Sequence, residues 1–162
     1  MDRITEKYMI SEGDSVPKFE VNDAKGAKVK SSDFKGKKHT IYFYPKDFTP
    51  GCTTEADEFS RDYKKFQKEG IEIIGISPDN VESHKKFCEK MGIKYPLLAD
   101  VDKEISNMFG VWGKKKFMGR EYMGVIRSTF LVNEKGKIFK IYPKVKPAGH
   151  SKEVLEDFLN SK

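Results

Sequence analysis

The chain has little cysteine and little tryptophan: two cysteines, Cys52 and Cys88, and one tryptophan in 162 residues. Two thiols far apart, with no C-x-x-C between them, exclude both a disulfide-stapled scaffold and a dithiol redox motif. With only the scattered His39, His84 and His150 beside them, they show no metal-ligand spacing, so no metal and no cofactor is expected. Long apolar runs are also lacking. No stretch approaches the roughly 18 apolar residues of a membrane span, and "MDRITEKYMISEGDSV" has no apolar core of a signal peptide. No membrane association is expected, and the default compartment is the cytoplasm, where thiols stay reduced. Charge of one sign is not concentrated either. The net charge of +6 comes from 31 basic and 25 acidic residues that are interspersed, and Lys114–Lys116 is the longest basic run. That pattern suits a solvated surface rather than a nucleic-acid groove.

What is present is enough apolar residue for a core: 37% hydrophobic against 35% charged, with no repeat or linker, which reads as one domain over residues 1–162. "TIYFYP" (40–45) is a β-rich run ending at a proline. Ala56, Phe59, Tyr63 and Phe66 then recur on one face of a helix that Gly70 ends, and "IEIIGIS" (71–77) follows as a nearly continuous apolar strand. Further helices are expected at 80–91, 102–109 and 151–160, the last with Val154, Leu155, Phe158 and Leu159 on one face, and a strand at 95–99. A glycine-punctuated loop is expected over 110–124, then an antiparallel hairpin from strands 126–132 and 137–142, with a small extra hairpin near 21–29. The fold class is therefore α/β. A central mixed sheet flanked by helices, with an N-terminal β-hairpin extension, is the thioredoxin-like plan.

Cys52 sits in "PKDFTPGCTTEADEF", where a helix should begin. Thr49 is a favourable N-cap, Pro50 then falls at N1, where its missing N–H is harmless, and Cys52 becomes N3. A thiol there lies near unpaired N–H groups and the positive end of the helix dipole, which favours the reactive thiolate. Lowering a thiol pKa from about 8.5 to about 6 requires roughly 3.4 kcal/mol, at about 1.36 per unit. A helix terminus typically supplies about 0.3–1 kcal/mol and at most about 2. Glu55, Asp57 and Glu58 follow on the same helix and would oppose the shift if close. The site therefore needs a cation from elsewhere in the chain.

Pro45, Thr49 and Cys52 match the P-x-x-x-T-x-x-C pattern of the peroxiredoxins. "YFYPKDFTPGCTTEA", "FGVWGKKKFMGREYMGVIRSTFLV" and "KVKPAGH" together resemble the peroxiredoxin Q group, also called bacterioferritin comigratory protein, over about residues 13 to 160. The resemblance implies a thioredoxin fold and thiol-dependent reduction of hydrogen peroxide and organic hydroperoxides. It implies that Cys52 is the peroxidatic cysteine, that the Thr49 hydroxyl helps hold the peroxide, and that Pro45 shields the site from water. It also implies that Arg127 stabilises the thiolate and the polarised peroxide. Without the resemblance, Arg127 would read as a strand-edge charge.

The chain departs from the group at Asp57. Many members carry a resolving cysteine there, one and a half turns after the peroxidatic one. Either an external thiol completes the cycle or resolution falls to Cys88, and the resemblance favours Cys88, because some members place the resolving cysteine on the following helix. Cys88 shares a helical face with Val81, His84 and Met91, which also suits a packed structural residue. If that face is buried, a disulfide requires partial unwinding of both helices, because the Cα atoms must come within about 7 Å. The expectation is a monomeric two-cysteine peroxidase recycled by thioredoxin or a similar dithiol protein. The alternatives are a one-cysteine peroxidase with a structural Cys88, and a basic binding module built on "KKKFMGREYMG", whose aromatics would otherwise anchor that loop in the fold.

Overall fold

The computed structural model describes residues 10–161. Strands β1 (Glu20–Asn22) and β2 (Lys28–Lys30) pair as the expected small N-terminal hairpin. The main sheet contains β3 (Lys38–Phe43), β4 (Ile71–Ser77), β5 (Leu97–Ala99), β8 (Ser128–Val132) and β9 (Ile138–Tyr142), in the order β5-β4-β3-β8-β9. The pairs β3–β4 and β4–β5 are parallel, whereas β3–β8 and β8–β9 are antiparallel. This mixed sheet with helices α1 (Pro50–Lys68), α2 (Val81–Met91), α3 (Glu104–Met108) and α4 (His150–Asn160) is the thioredoxin-like arrangement.

The near-continuous apolar runs follow from burial on both faces of the sheet. Tyr42, Ile73, Leu97 and Leu131 face a layer made by Ala56, Phe59 and Phe66 of α1, Phe87 of α2, and Val154 and Phe158 of α4. Their neighbours Ile41, Ile74, Leu98 and Phe130 face the opposite way, onto Phe19, Phe34, Ile105 and Phe109. Residues one apart in a strand must point to opposite faces, so two cores flank one sheet. Phe59 and Phe66, both fully buried, each contribute roughly 1.5–3 kcal/mol of burial. Leu159, expected on the buried face of α4, is instead largely exposed.

Two expectations are corrected. Residues 110–124 are not a loop: β6 (Trp112–Phe117) and β7 (Arg120–Val125) form an antiparallel hairpin. Its turn is Met118–Gly119, both at positive φ (52° and 79°), the two-residue turn whose twist matches that of paired strands. Phe117 and Tyr122 are exposed on it and do not anchor it in the fold. The second correction concerns the strand expected at 126–132, which begins at Ser128, so Arg127 precedes the strand rather than standing in its edge.

Sheet register determines what meets at the site. Ser128 lies opposite Phe43, and β8 runs antiparallel to β3. The residue before β8, Arg127, therefore arrives at the same end of the sheet as the residues that follow Phe43, among them Cys52.

Candidate active site

Helix α1 starts as its sequence predicts, with Thr49 as N-cap, Pro50 at N1 and Cys52 in the first turn. The first helical hydrogen bond runs from Thr53 N to the Thr49 carbonyl (2.8 Å), so the N–H groups of Gly51 and Cys52 precede the intrahelical ladder. The Thr49 side chain does not cap the helix. Its hydroxyl donates to the Lys46 carbonyl (2.8 Å), which fixes the rotor and leaves the oxygen's lone pairs to accept. Pro45 is half-buried at the start of the segment joining β3 to α1.

Cys52 is buried, a free thiol, and takes a hydrogen bond from Arg127 Nη2 at 3.2 Å. This is the cation the helix start required. Arg127 is itself held in three ways. Its Nη1 donates to Glu55 Oε1 at 2.6 Å, its carbonyl accepts from Val145 N (2.9 Å), and its guanidinium lies against Gly51. A Cβ at position 51 would come within 3.0 Å of Arg127 Nη2, so glycine in "TPGC" permits the close approach of guanidinium to helix start.

Glu55 is the residue that sequence reasoning misjudged. It was expected only to oppose an anion, yet its side chain is fully buried and orients the arginine. Burial pushes its carboxyl up to about 7 despite the neighbouring Arg127, and its second oxygen, Oε2, has no hydrogen-bond partner among the described residues. The rest of the acidic run is engaged elsewhere: Asp57 pairs with Arg61 at 3.9 Å on the exposed face, and Glu58 accepts from Gly149 N (2.8 Å). Lys115 was also missed. Its Nζ reaches the Val125 carbonyl (3.0 Å); burial, then Arg127, lower its pKa, while Cys52 acts the other way and marks Lys115 as a neighbour of the sulfur.

Cys88 lies in the last turn of α2, half-buried against the core that includes Tyr95 and Leu97. Burial, then the carboxylates of Asp47 and Asp23, push its thiol up to about 11. The two thiols therefore belong to different helices and different electrostatic settings.

The match to the AhpC/TSA family covers residues 12–141. The chain belongs to that family. It is similar to peroxiredoxin Bcp of Bacillus subtilis, with 45% identity over 144 residues, 89% of this chain and 92% of the relative. Peroxiredoxin Bcp of Escherichia coli K12 is 40% identical over 143 residues, 88% of this chain and 92% of the relative. Among solved structures, a variant of Xanthomonas campestris peroxiredoxin Q superposes with a TM-score of 0.84 at 37% identity, covering 89% of this chain and 92% of that one. The protein is thus a peroxiredoxin: an oxidoreductase that reduces peroxides using thiols. No helix among the described residues is long and apolar enough to cross a membrane.

Proposed function

We propose that Cys52 is the nucleophile of this peroxidase, assisted by Thr49, Arg127 and Pro45, and that Cys88 resolves it. The observation that carries the reading is the guanidinium donor 3.2 Å from Cys52 Sγ at a helix start. The Cys52 thiolate attacks one oxygen of the peroxide. The O–O bond breaks, the departing oxygen leaves as water or an alcohol after taking a proton, and Cys52 becomes a sulfenic acid.

Ionising the thiol fully instead of about 3% at pH 7 gives only some thirtyfold, and a more acidic thiol is intrinsically less nucleophilic. The larger gain comes from donors aimed at the charge growing on the peroxide oxygen: Arg127 and the N–H groups of Gly51 and Cys52. Thr49, with its hydroxyl proton committed to Lys46, accepts the peroxide O–H and so sets which oxygen faces the sulfur. Pro45 covers the pocket against water.

Cys88 then attacks the sulfenic sulfur. An S–S bond forms, the S–O bond breaks, and the hydroxyl leaves as water with the thiol proton. The Xanthomonas campestris protein has been solved with serine in place of either of two cysteines spaced as Cys52 and Cys88 are, and a further structure of it concerns alkyl peroxide reduction. Both support the reading here, with hydrogen peroxide and organic hydroperoxides as substrates. Thioredoxin or a similar dithiol protein reduces the disulfide, and the chain works as a single-domain monomer in the cytoplasm without metal or organic cofactor.

The test is one equivalent of peroxide added to reduced protein, followed by non-reducing peptide mass spectrometry. A Cys52–Cys88 disulfide within one chain is expected. Persistent Cys52 sulfenic acid, or disulfides only between chains, would replace this reading with a one-cysteine peroxidase recycled by an external thiol.

A further inference from the structure

Between α2 and the segment that precedes Cys52 lies a buried polar cluster for which the peroxide chemistry has no use. His84, in α2, is fully buried, and Asp47, in the segment after β3, is 3% exposed. His84 Nδ1 lies 2.7 Å from Asp47 Oδ2, and Nε2 lies 2.9 Å from the Leu98 carbonyl oxygen of β5. The imidazole thus bridges the loop carrying Asp47 and strand β5, with the Tyr44 hydroxyl also 3.4 Å from Nδ1. Asp47 Oδ2 also accepts from Ser83 Oγ (2.8 Å), and Oδ1 accepts from Tyr44 Oη (2.7 Å). Across from them, Asp79 Oδ2 accepts from Asp47 N (2.8 Å) and Ser77 Oγ (2.6 Å).

Ligand atoms of Asp47, Asp79 and His84 lie within 4.8 Å of one another, a spacing that could suggest a cation site. The protein's own donors already occupy these oxygens, and both His84 nitrogens are engaged. The cluster is therefore a joint. It ties the segment leading to Cys52, the start of α2, and β5 to one another. Beside it Phe48, at positive φ (67°), packs edge-on against Phe87 with centroids 5.1 Å apart, and Phe87 adjoins Cys88. His84 precedes Cys88 by about one helical turn. The turn carrying Cys88 is closed by Gly92 N and Ile93 N, which both donate to the Cys88 carbonyl.

We propose that His84 and Asp47 form a latch that holds the Cys88 helix against the loop before Cys52, and that the latch opens before the disulfide forms. This rests on the assignment of Cys52 and Cys88 as the disulfide pair. Opening the joint would leave buried hydrogen-bonding groups of His84, Asp47 and Leu98 without partners, so this pair governs how often α2 lets go. While the latch is closed, the Cys52 sulfenic acid stays among donors that activate peroxide. A second peroxide can then oxidise it to sulfinic acid, its own O–O bond being reduced to water or an alcohol. Once the latch opens, Cys88 reaches the sulfenic sulfur and water leaves. Latch strength thus sets the division between recycling and inactivation.

The experiment mixes reduced wild type, His84→Asn and Ser83→Ala with a range of peroxide concentrations, with rapid acid quench and intact-mass analysis. His84→Asn keeps a donor toward Asp47 but loses the bond to Leu98. Disulfide formation should quicken about tenfold in His84→Asn and a few-fold in Ser83→Ala. The sulfinic fraction should fall in proportion, while the rate of sulfenic acid formation stays unchanged. A latch is contradicted if both variants form disulfide at the wild-type rate, or if sulfenic acid formation and resolution slow together. Should His84→Asn fail to fold by circular dichroism, Ser83→Ala decides alone. If wild type itself forms no Cys52–Cys88 disulfide, the assignment of the pair fails instead, before any variant is compared.

Discussion

Cys52 and Cys88 stand at opposite ends of their helices, and the contrast orders the rest of the site. Cys52 lies in the first turn of α1, where the Gly51 and Cys52 N–H groups precede the helical ladder and the Arg127 guanidinium donates to the sulfur. Cys88 lies in the last turn of α2, where the helix presents carbonyls, and its thiol is pushed up to about 11. At that value only about one thiol in ten thousand is ionised at pH 7. The Cys52 sulfur has a guanidinium donor beside it, whereas burial and nearby carboxylates act against a negative Cys88 sulfur. On the proposed assignment of Cys88 as the resolving thiol, its burial in α2 would act as a timing device as well as packing.

The sharpest way to break the contrast is to remove the cation. Arg127→Met should lower kcat/KM for peroxide by about 10²–10³, the usual loss of one preorganised donor to a developing oxyanion. Steady-state kinetics with saturating reductant would check this.

Next in size is a change that leaves the arginine in place. Burial holds the Glu55 carboxyl at about 7, above the usual glutamate value of about 4.5. Between those pH values the folded protein keeps a proton that the unfolded chain has released, so stability falls as pH rises from about 4.5 to 7 and stays lower above. Glu55→Gln should therefore be more stable than wild type by about 3 kcal/mol at pH 8, and equal to it below about pH 4.5. Urea titrations at the two pH values would show it. Thr49→Val should lower kcat/KM about tenfold, one hydrogen bond's worth, and Thr49→Ser should recover most of it. The smallest effect is expected at Asp57, whose exposed pairing with Arg61 places it outside the site. Asp57→Ala should shift stability by less than about 0.5 kcal/mol and leave turnover unchanged.

Local signals in the sequence carried the start of α1, because Thr49 and Pro50 mark the N-cap and N1 positions, although the Thr49 hydroxyl turns to Lys46 instead of capping. The buried strands were equally legible, since two-sided burial leaves continuous runs such as "IEIIGIS". Arg127 was not readable from its surroundings: its position depends on the pairing of β8 with β3, a contact between segments far apart in sequence. Family resemblance supplied it. Glu55 misled because local reading counts a carboxylate near a thiol as a penalty and cannot see the guanidinium between them. His84 and Asp47 gave no signal, since a histidine on a helix face and an aspartate in a loop show no partnership until the fold joins them. The hairpin at β6 and β7 was hidden by its glycines, although Met118–Gly119 marks its turn.

On the proposed mechanism, peroxide is reduced at Cys52 and Cys88 acts only afterwards. The direct measurement is single-turnover peroxide consumption by reduced Cys52→Ser and Cys88→Ser proteins without added reductant. Cys88→Ser should consume its first equivalent at the wild-type rate and stop at sulfenic acid, and Cys52→Ser should consume none. Peroxide consumption by Cys52→Ser at the wild-type rate would contradict the account.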